Sequence, residues 1–214
     1  MTELLSIILA AGEGTRMKSA TPKVLHPVGG LPVVSHVLRT AQAAGSQLAV
    51  VVGPNHEAVE AAVRRWAPEV HVSRQEERLG TAHAVQQARA AYEAANGNVL
   101  VLYADTPLVK PATVENIVAR LDEGADMVVV GFRPADPTGY GRLLTEGGQV
   151  RAIREHRDAT DAEREIGLCN SGIIGFRAET LRAVIDRIGN SNAKGEYYLT
   201  DAVELASADG RRID

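Results

Sequence analysis

The stretch Leu9-Ala10-Ala11-Gly12-Glu13-Gly14-Thr15-Arg16-Met17 sets two glycines among small residues, just ahead of an arginine. Small side chains at 10 to 12 and at 14 let the backbone approach a ligand closely. The N–H groups of such a turn can hold phosphate oxygens, and Arg16 adds a planar, permanently charged fork suited to phosphate. Further on, Pro22-Lys23 offers a second cation after a rigid turn. Two cations flanking a glycine loop suit a triphosphate whose pyrophosphate must leave. Two other phosphate loops do not fit. Met17 stands where a dinucleotide fingerprint needs its third glycine, and no Gly-Lys-Ser/Thr follows as a Walker loop requires. Glycines that merely end a strand, with Lys23 as a solvated charge, are the alternative at this point.

Asp105 follows the apolar run Val99-Leu100-Val101-Leu102-Tyr103, and open α/β sheets place ligands beyond the carboxyl ends of their strands. A carboxylate there can hold Mg²⁺ against phosphate oxygens, or cap the N-terminus of a coming helix. The single cysteine, Cys169, has no partner for an internal disulfide, which points to a reducing cytoplasm. It reads as a packing residue rather than a nucleophile. The six histidines form no zinc motif, since His56-Glu57-Ala58-Val59-Glu60 lacks the second histidine of a zincin. A formal net charge of −4 argues against a general nucleic-acid binder. No apolar run approaches the roughly 20 residues of a membrane span.

The elements that must position these groups follow from periodicity. Leu4 to Leu9, Leu48 to Val52, Val99 to Tyr103 and Met127 to Val130 read as buried strands. Helical patterns lie between them, at Val33 to Ala44, Ala58 to Trp66, Thr81 to Tyr92 and Thr113 to Glu123. This alternation predicts βαβ units with right-handed crossovers. From Pro134 to Gly141 turn formers dominate. Short strands are then expected at Arg142 to Leu144, Val150 to Arg154 and Ile173 to Phe176, with helices at Glu179 to Ile188 and Leu199 to Ala206. The expected fold class is an α/β, αβα sandwich on a mostly parallel sheet, with a small β-rich, substrate-facing insertion in its second half.

Leu9 to Met17, followed by Pro22-Lys23-Val24-Leu25, resembles the signature of sugar nucleotidyltransferases, which have a Rossmann-like fold. The Ala-Ala-Gly form ending in Arg-Met is similar to the N-acetylglucosamine-1-phosphate uridylyltransferase branch. The likeness continues through Gln75, Leu79-Gly80-Thr81-Ala82-His83-Ala84 and Tyr103-Ala104-Asp105-Thr106-Pro107-Leu108. It then runs through Asp136 to Arg142, Glu155-His156, Asn170-Ser171-Gly172 and Gly195 to Asp201. Ala104 and Ala82 stand where glycine is common in that family; both are small, so backbone contacts should survive.

The resemblance implies a single nucleotidyltransferase domain over residues 1–214. It implies uridylyl transfer from UTP to N-acetylglucosamine 1-phosphate, giving UDP-N-acetylglucosamine, a cell-wall precursor, and pyrophosphate. Implied phosphate and uracil contacts are Leu9, Ala10, Ala11, Gly12, Gln75, Gly80 and Thr81. Tyr103, Ala104 and Asp105 form the metal segment, with Asp105 holding Mg²⁺. Gly139, Glu155 and Asn170 face the sugar. Gln75 carries the donor and the acceptor that an imide edge needs, although an isolated glutamine in a loop is ordinarily exposed. Glu155 lies in a charge-dense stretch, Arg151 to Glu165, that otherwise reads as solvated. Lys23 goes to the α-phosphate and Arg16 to the leaving pyrophosphate, so positioning and charge neutralisation carry the rate. Partners are these small molecules, with no nucleic acid and no membrane. The alternatives are another sugar or base on the same fold, or a silent domain that senses nucleotide sugars. The family's full-length enzymes carry a left-handed β-helix acetyltransferase domain of hexapeptide repeats, which this chain does not show. It also stops at Asp214, before any segment similar to the one holding an asparagine metal ligand. The expectation is a domain cut short at its C-terminal end, without acetyl transfer, with a weakened Mg²⁺ site and an oligomeric state that cannot be inferred.

Overall fold

The computed structural model describes residues 3–14 and 17–214. Strand β1 (Leu4–Ala10) is buried at every position, because neighbouring strands flank it and helices cover both faces. Its alternate side chains serve two cores. Leu5, Ile7 and Leu9 pack with α3 (Thr81–Gln87), α4 (Arg89–Ala94), α7 (Ala178–Val184) and α8 (Asp201–Ala208). Leu4, Ile8 and Ala10 pack with α1 (Val33–Ala43), α2 (Glu57–Trp66) and α5 (Pro111–Asp122). This period-two division of one strand between two helical layers is what the unbroken apolar runs encode.

Among the described residues one sheet has eight strands. In its first half β5 (His71–Arg74), β4 (Gln47–Val52), β1 and β6 (Asn98–Tyr103) pair in parallel, in that order. Beyond β6 the sheet turns antiparallel, so it is mixed. There β10 (Cys169–Arg177) lies between β6 and β7 (Met127–Phe132), and also bridges to β8 (Arg142–Glu146). Strands β8 and β9 (Gln149–Arg154) form the hairpin of the second-half insertion. From β1 the chain winds outward through β4 to β5, then returns to β6 on the opposite side of β1. The loops after β1 and β6 both lead to helices of one layer, α1 and α5, and a crevice lies at the carboxyl ends of these two strands.

Several elements differ from their expected outlines. The helix expected from Thr81 to Tyr92 is broken at Ala88, where φ −87° and ψ 19° leave helical geometry without a Pro or Gly to mark it. Strand β5 is short and only partly buried, so it carries no strong periodicity. A small hairpin of β2 (Pro27–Val28) and β3 (Leu31–Pro32) turns on Gly29 and Gly30, both at positive φ as a two-residue turn of this kind demands. Within the charge-dense stretch lies α6 (Asp161–Arg164), started by a capping box between Thr160 and Glu163.

Candidate active site

The glycine loop leaves β1 at Ala11 and lies beside the end of β6, where Ala104 N–H donates to the Leu9 carbonyl at 3.0 Å. Lys23, on a 3-10 turn (Lys23–Leu25), reaches back across this loop. A Cβ on Gly12 would stand 3.2 Å from Lys23 Nζ. One on Gly14, at φ +65°, would stand 2.6 Å from Lys23 Cβ. The glycines are thus required by the lysine stem lying over them as much as by any ligand. Lys23 Nζ ends 2.6 Å from Asp105 Oδ2, joining the two loops at the crevice. Asp105 does not cap a helix: α5 starts six residues later at Pro111, with Lys110 at its N-cap. Its carboxylate remains partly exposed to the crevice. Arg16, assigned to the pyrophosphate, lies outside the described residues.

Beside this pair is a cavity of ≈ 210 Å³ bounded by Leu9, Gly12, Gln75, Gly80, Thr81 and Tyr103 among others. Gln75 is buried at 3% exposure, not an exposed loop residue. Its Nε2 donates to the Gly80 carbonyl at 3.0 Å. Gly80 adopts φ +118°, and a Cβ there would fall 2.4 Å from the Tyr197 carbonyl oxygen. The 195–200 segment is strapped over this wall by hydrogen bonds: Tyr197 N–H to the Leu79 carbonyl at 2.7 Å, Ala82 N–H to the Tyr197 carbonyl at 2.9 Å, and Leu199 N–H to Thr81 Oγ1 at 2.9 Å. Ala10, Ala11, Gly12 and Gly14 also line an adjoining cavity on the other side of the loop.

Tyr103 links this half to the second. Burial pushes its phenol up to about 12; the Glu155 and Asp105 charges add to this, and a hydrogen bond with Thr81 opposes it. Against its ring sits Gly172 at φ +88°, where a Cβ would lie 2.7 Å from Tyr103 Cε2. Gly172 belongs to an irregularity in β10, whose register against β7 shifts between Asn170 and Ile174. Side chains hold the irregularity: Asn170 Oδ1 accepts from Gly172 N–H at 2.9 Å, and Ser171 Oγ from Ile173 N–H at 3.2 Å. Such interruptions re-aim side chains beside functional sites. Glu155 is partly buried rather than solvated. Burial raises its carboxyl above the usual range, while a 3.3 Å hydrogen bond from Thr200 Oγ1 and the charge of Lys194 oppose that shift. The backbone of Gly141 packs against Glu155, and Asn170 N–H donates to the Gly141 carbonyl. Gly139, at φ +85°, has nothing within 4 Å of its Cβ direction.

The described residues thus bring Lys23, Asp105, Gln75, Gly80, Thr81 and Tyr103 to one crevice, with Glu155 and Asn170 joined to it through Tyr103. Cys169 is fully buried, as a packing residue should be. Arg78 escaped the sequence reading. Its Nε donates to the Ala11 carbonyl at 2.8 Å and its guanidinium pairs with Glu13, tying the Gln75–Gly80 wall to the glycine loop. Only the meeting of two loops distant in sequence reveals it. Among the described residues no group of three His, Cys, Asp or Glu side chains could hold a metal. The partly exposed Asp105 carboxylate, once Lys23 leaves it, would suit Mg²⁺, an ion that takes one or two carboxylates and completes its shell with phosphate and water.

Comparison with known proteins decides the family. The profile of the MobA-like NTP transferase domain matches residues 6–166. The chain belongs to this family. "Bifunctional protein GlmU" of Azorhizobium caulinodans is 58% identical over 208 residues, which are 97% of this chain and 46% of that protein. The protein of the same name from Xanthobacter autotrophicus is 56% identical with the same coverage. The chain therefore spans about half the length of the curated relatives it matches. Among solved structures, UDP-glucose pyrophosphorylase complexed with UDP-glucose superposes with a TM-score of 0.78 at 20% identity, covering 100% of this chain and 89% of that one. The apo form gives 0.76 with the same identity and coverage. At this identity the superposition speaks for the fold, a Rossmann-like nucleotidyltransferase fold on a mixed sheet. The MobA-like profile spans the glycine loop, Lys23, Gln75, Asp105 and Glu155; Asn170 and Thr200 lie beyond it.

Proposed function

We propose that the chain transfers the uridylyl group of UTP to N-acetylglucosamine 1-phosphate, releasing pyrophosphate, in the cytoplasm. The observation that carries this reading is the 2.6 Å Lys23–Asp105 pair, set over the glycine loop and beside the Gln75–Gly80 cavity. The kinship with GlmU proteins supports it further. The sugar phosphate is already an anion and needs no strong base. The obstacle is to bring two polyanions together and to stabilise the departing pyrophosphate. Lys23 turns from Asp105 to the α-phosphate, and Arg16 meets the leaving group. Asp105 would hold Mg²⁺, which when bound neutralises phosphate charge. Gln75 and the Gly80 backbone take the base, while Glu155 and Asn170 receive the sugar. Pyrophosphate release should be measured with each of the four ribonucleoside triphosphates against a panel of sugar 1-phosphates. UTP with N-acetylglucosamine 1-phosphate is expected to lead; a different leading pair would move the assignment to another sugar or base, and no release with any pair would leave a sensor domain.

A further inference from the structure

His83, on α3, holds its ring between two glutamine amides. Gln75 Nε2 lies 3.1 Å from His83 Nδ1, and Gln87 Nε2 lies 3.2 Å from His83 Nε2. Each amide nitrogen also donates to a carbonyl at 3.0 Å, Gln75 to Gly80 and Gln87 to His83 itself. A neutral imidazole has one N–H and one lone pair. It can accept from only one of these amide nitrogens, and its own N–H faces the other. Gln75 is buried at 3% exposure, whereas Gln87 is only partly covered and can exchange partners with water. An unmade hydrogen bond costs more at the buried amide. Nδ1 therefore accepts from Gln75, the ring proton sits on Nε2, and Gln87 keeps its bond to the His83 carbonyl without one to the ring. The Gly80 carbonyl, which can only accept, enforces the same orientation of Gln75 from the other side.

Both amide protons of Gln75 are then used within the protein. No hydrogen bond among the described residues engages Oε1, and Gln75 is part of the cavity wall. The geometry points to His83 as a positioning residue that makes this wall a hydrogen-bond acceptor, so that the cavity selects a base carrying a ring N–H over one with a bare ring nitrogen. Uracil has such an N–H; cytosine at the same edge presents a lone pair that Oε1 repels. The inference rests on the reading of this cavity as the base site. Gln75 supplies the contact, and His83 acts with the Gly80 carbonyl to fix which atom of Gln75 supplies it.

Two measurements on the whole chain test this. Long-range ¹H–¹⁵N NMR on the ligand-free protein reads the tautomer directly. A proton on Nε2 with a bare Nδ1 is expected, and a protonated Nδ1 overturns the proposal. Kinetics with UTP and CTP then compare H83L, which removes the acceptor, with H83N, whose Oδ1 can stand in for Nδ1. In H83L the preference for UTP should fall about tenfold, the worth of one hydrogen bond. The change should come through KM rather than kcat, and H83N should restore most of it. An H83L protein as selective as the parent contradicts the assignment. A parent chain indifferent to UTP and CTP would instead sink the base-site reading, while leaving the tautomer result standing.

Discussion

At the scale of single residues, the site depends on charges and amides whose partners are now defined. Arg16→Ala should depress turnover about a hundredfold, the loss of roughly 3 kcal/mol of transition-state stabilisation, with little change in UDP-sugar binding. Saturation kinetics check it: weak binding with normal turnover would remove Arg16 from the pyrophosphate. Gln75→Glu should raise KM for UTP by one to two orders of magnitude, on the order of 1–3 kcal/mol, and leave the sugar phosphate unaffected. A carboxylate cannot donate to the Gly80 carbonyl or to His83 Nδ1, so the variant loses two contacts in a buried position. An unchanged KM for UTP would place the base elsewhere. That Lys23, Asp105 and Gln75 come together was legible from their motifs. Arg78 and His83 were not, because the first acts between loops 65 residues or more apart and the second through another side chain.

At the scale of elements, the 195–200 segment and the Gly80 wall are built against each other. Gly80→Ala must strain a backbone at φ +118° and push a methyl into the Tyr197 main chain. A loss of about 2–3 kcal/mol is expected in urea unfolding, together with weakened UTP binding. A fully stable variant would show that the strap moves aside freely. Asp201, in the first turn of α8, is pushed up to about 6, first by burial and then by Glu204, with Arg154 opposing. A carboxyl whose folded value exceeds its unfolded value stabilises most when protonated in both states. That contribution falls as pH rises from about 4 to about 6. Asp201→Asn should therefore raise stability by about 1 kcal/mol at pH 7.5, after discounting for solvent access, and by much less at pH 4. Thermal unfolding at the two pH values checks this; an equal effect at both would assign it to something other than ionisation. The strands of the parallel half were readable because burial on both faces leaves unbroken apolar runs. The break at Ala88 was not, since no Pro or Gly marks it, whereas the irregularity at Asn170 to Ile174 carries its own breaker in Asn170-Ser171-Gly172.

At the scale of the molecule, the order β5-β4-β1-β6 puts the two chemistry-bearing loops at adjacent strand ends beside one crevice. The alternating first half of the sequence encodes that order through its βαβ units. The position of β10 between β6 and β7 is not encoded locally, because an antiparallel insertion depends on a partner some 70 residues away. It nevertheless completes the site, carrying Gly172 to the Tyr103 ring with Asn170 bonded to the Gly172 N–H. Two halves of different strand polarity thus meet at one cleft, with Lys23, Gln75 and Asp105 on the parallel side and Glu155 and Asn170 on the antiparallel side. The most direct measurement of this account is the reverse reaction, with labelled pyrophosphate, UDP-N-acetylglucosamine and Mg²⁺ supplied to the chain. The account predicts label in UTP, falling at least tenfold in a folded Lys23→Ala variant. No labelled UTP from a folded chain that binds the nucleotide sugar, or equal label with and without Lys23, would contradict it.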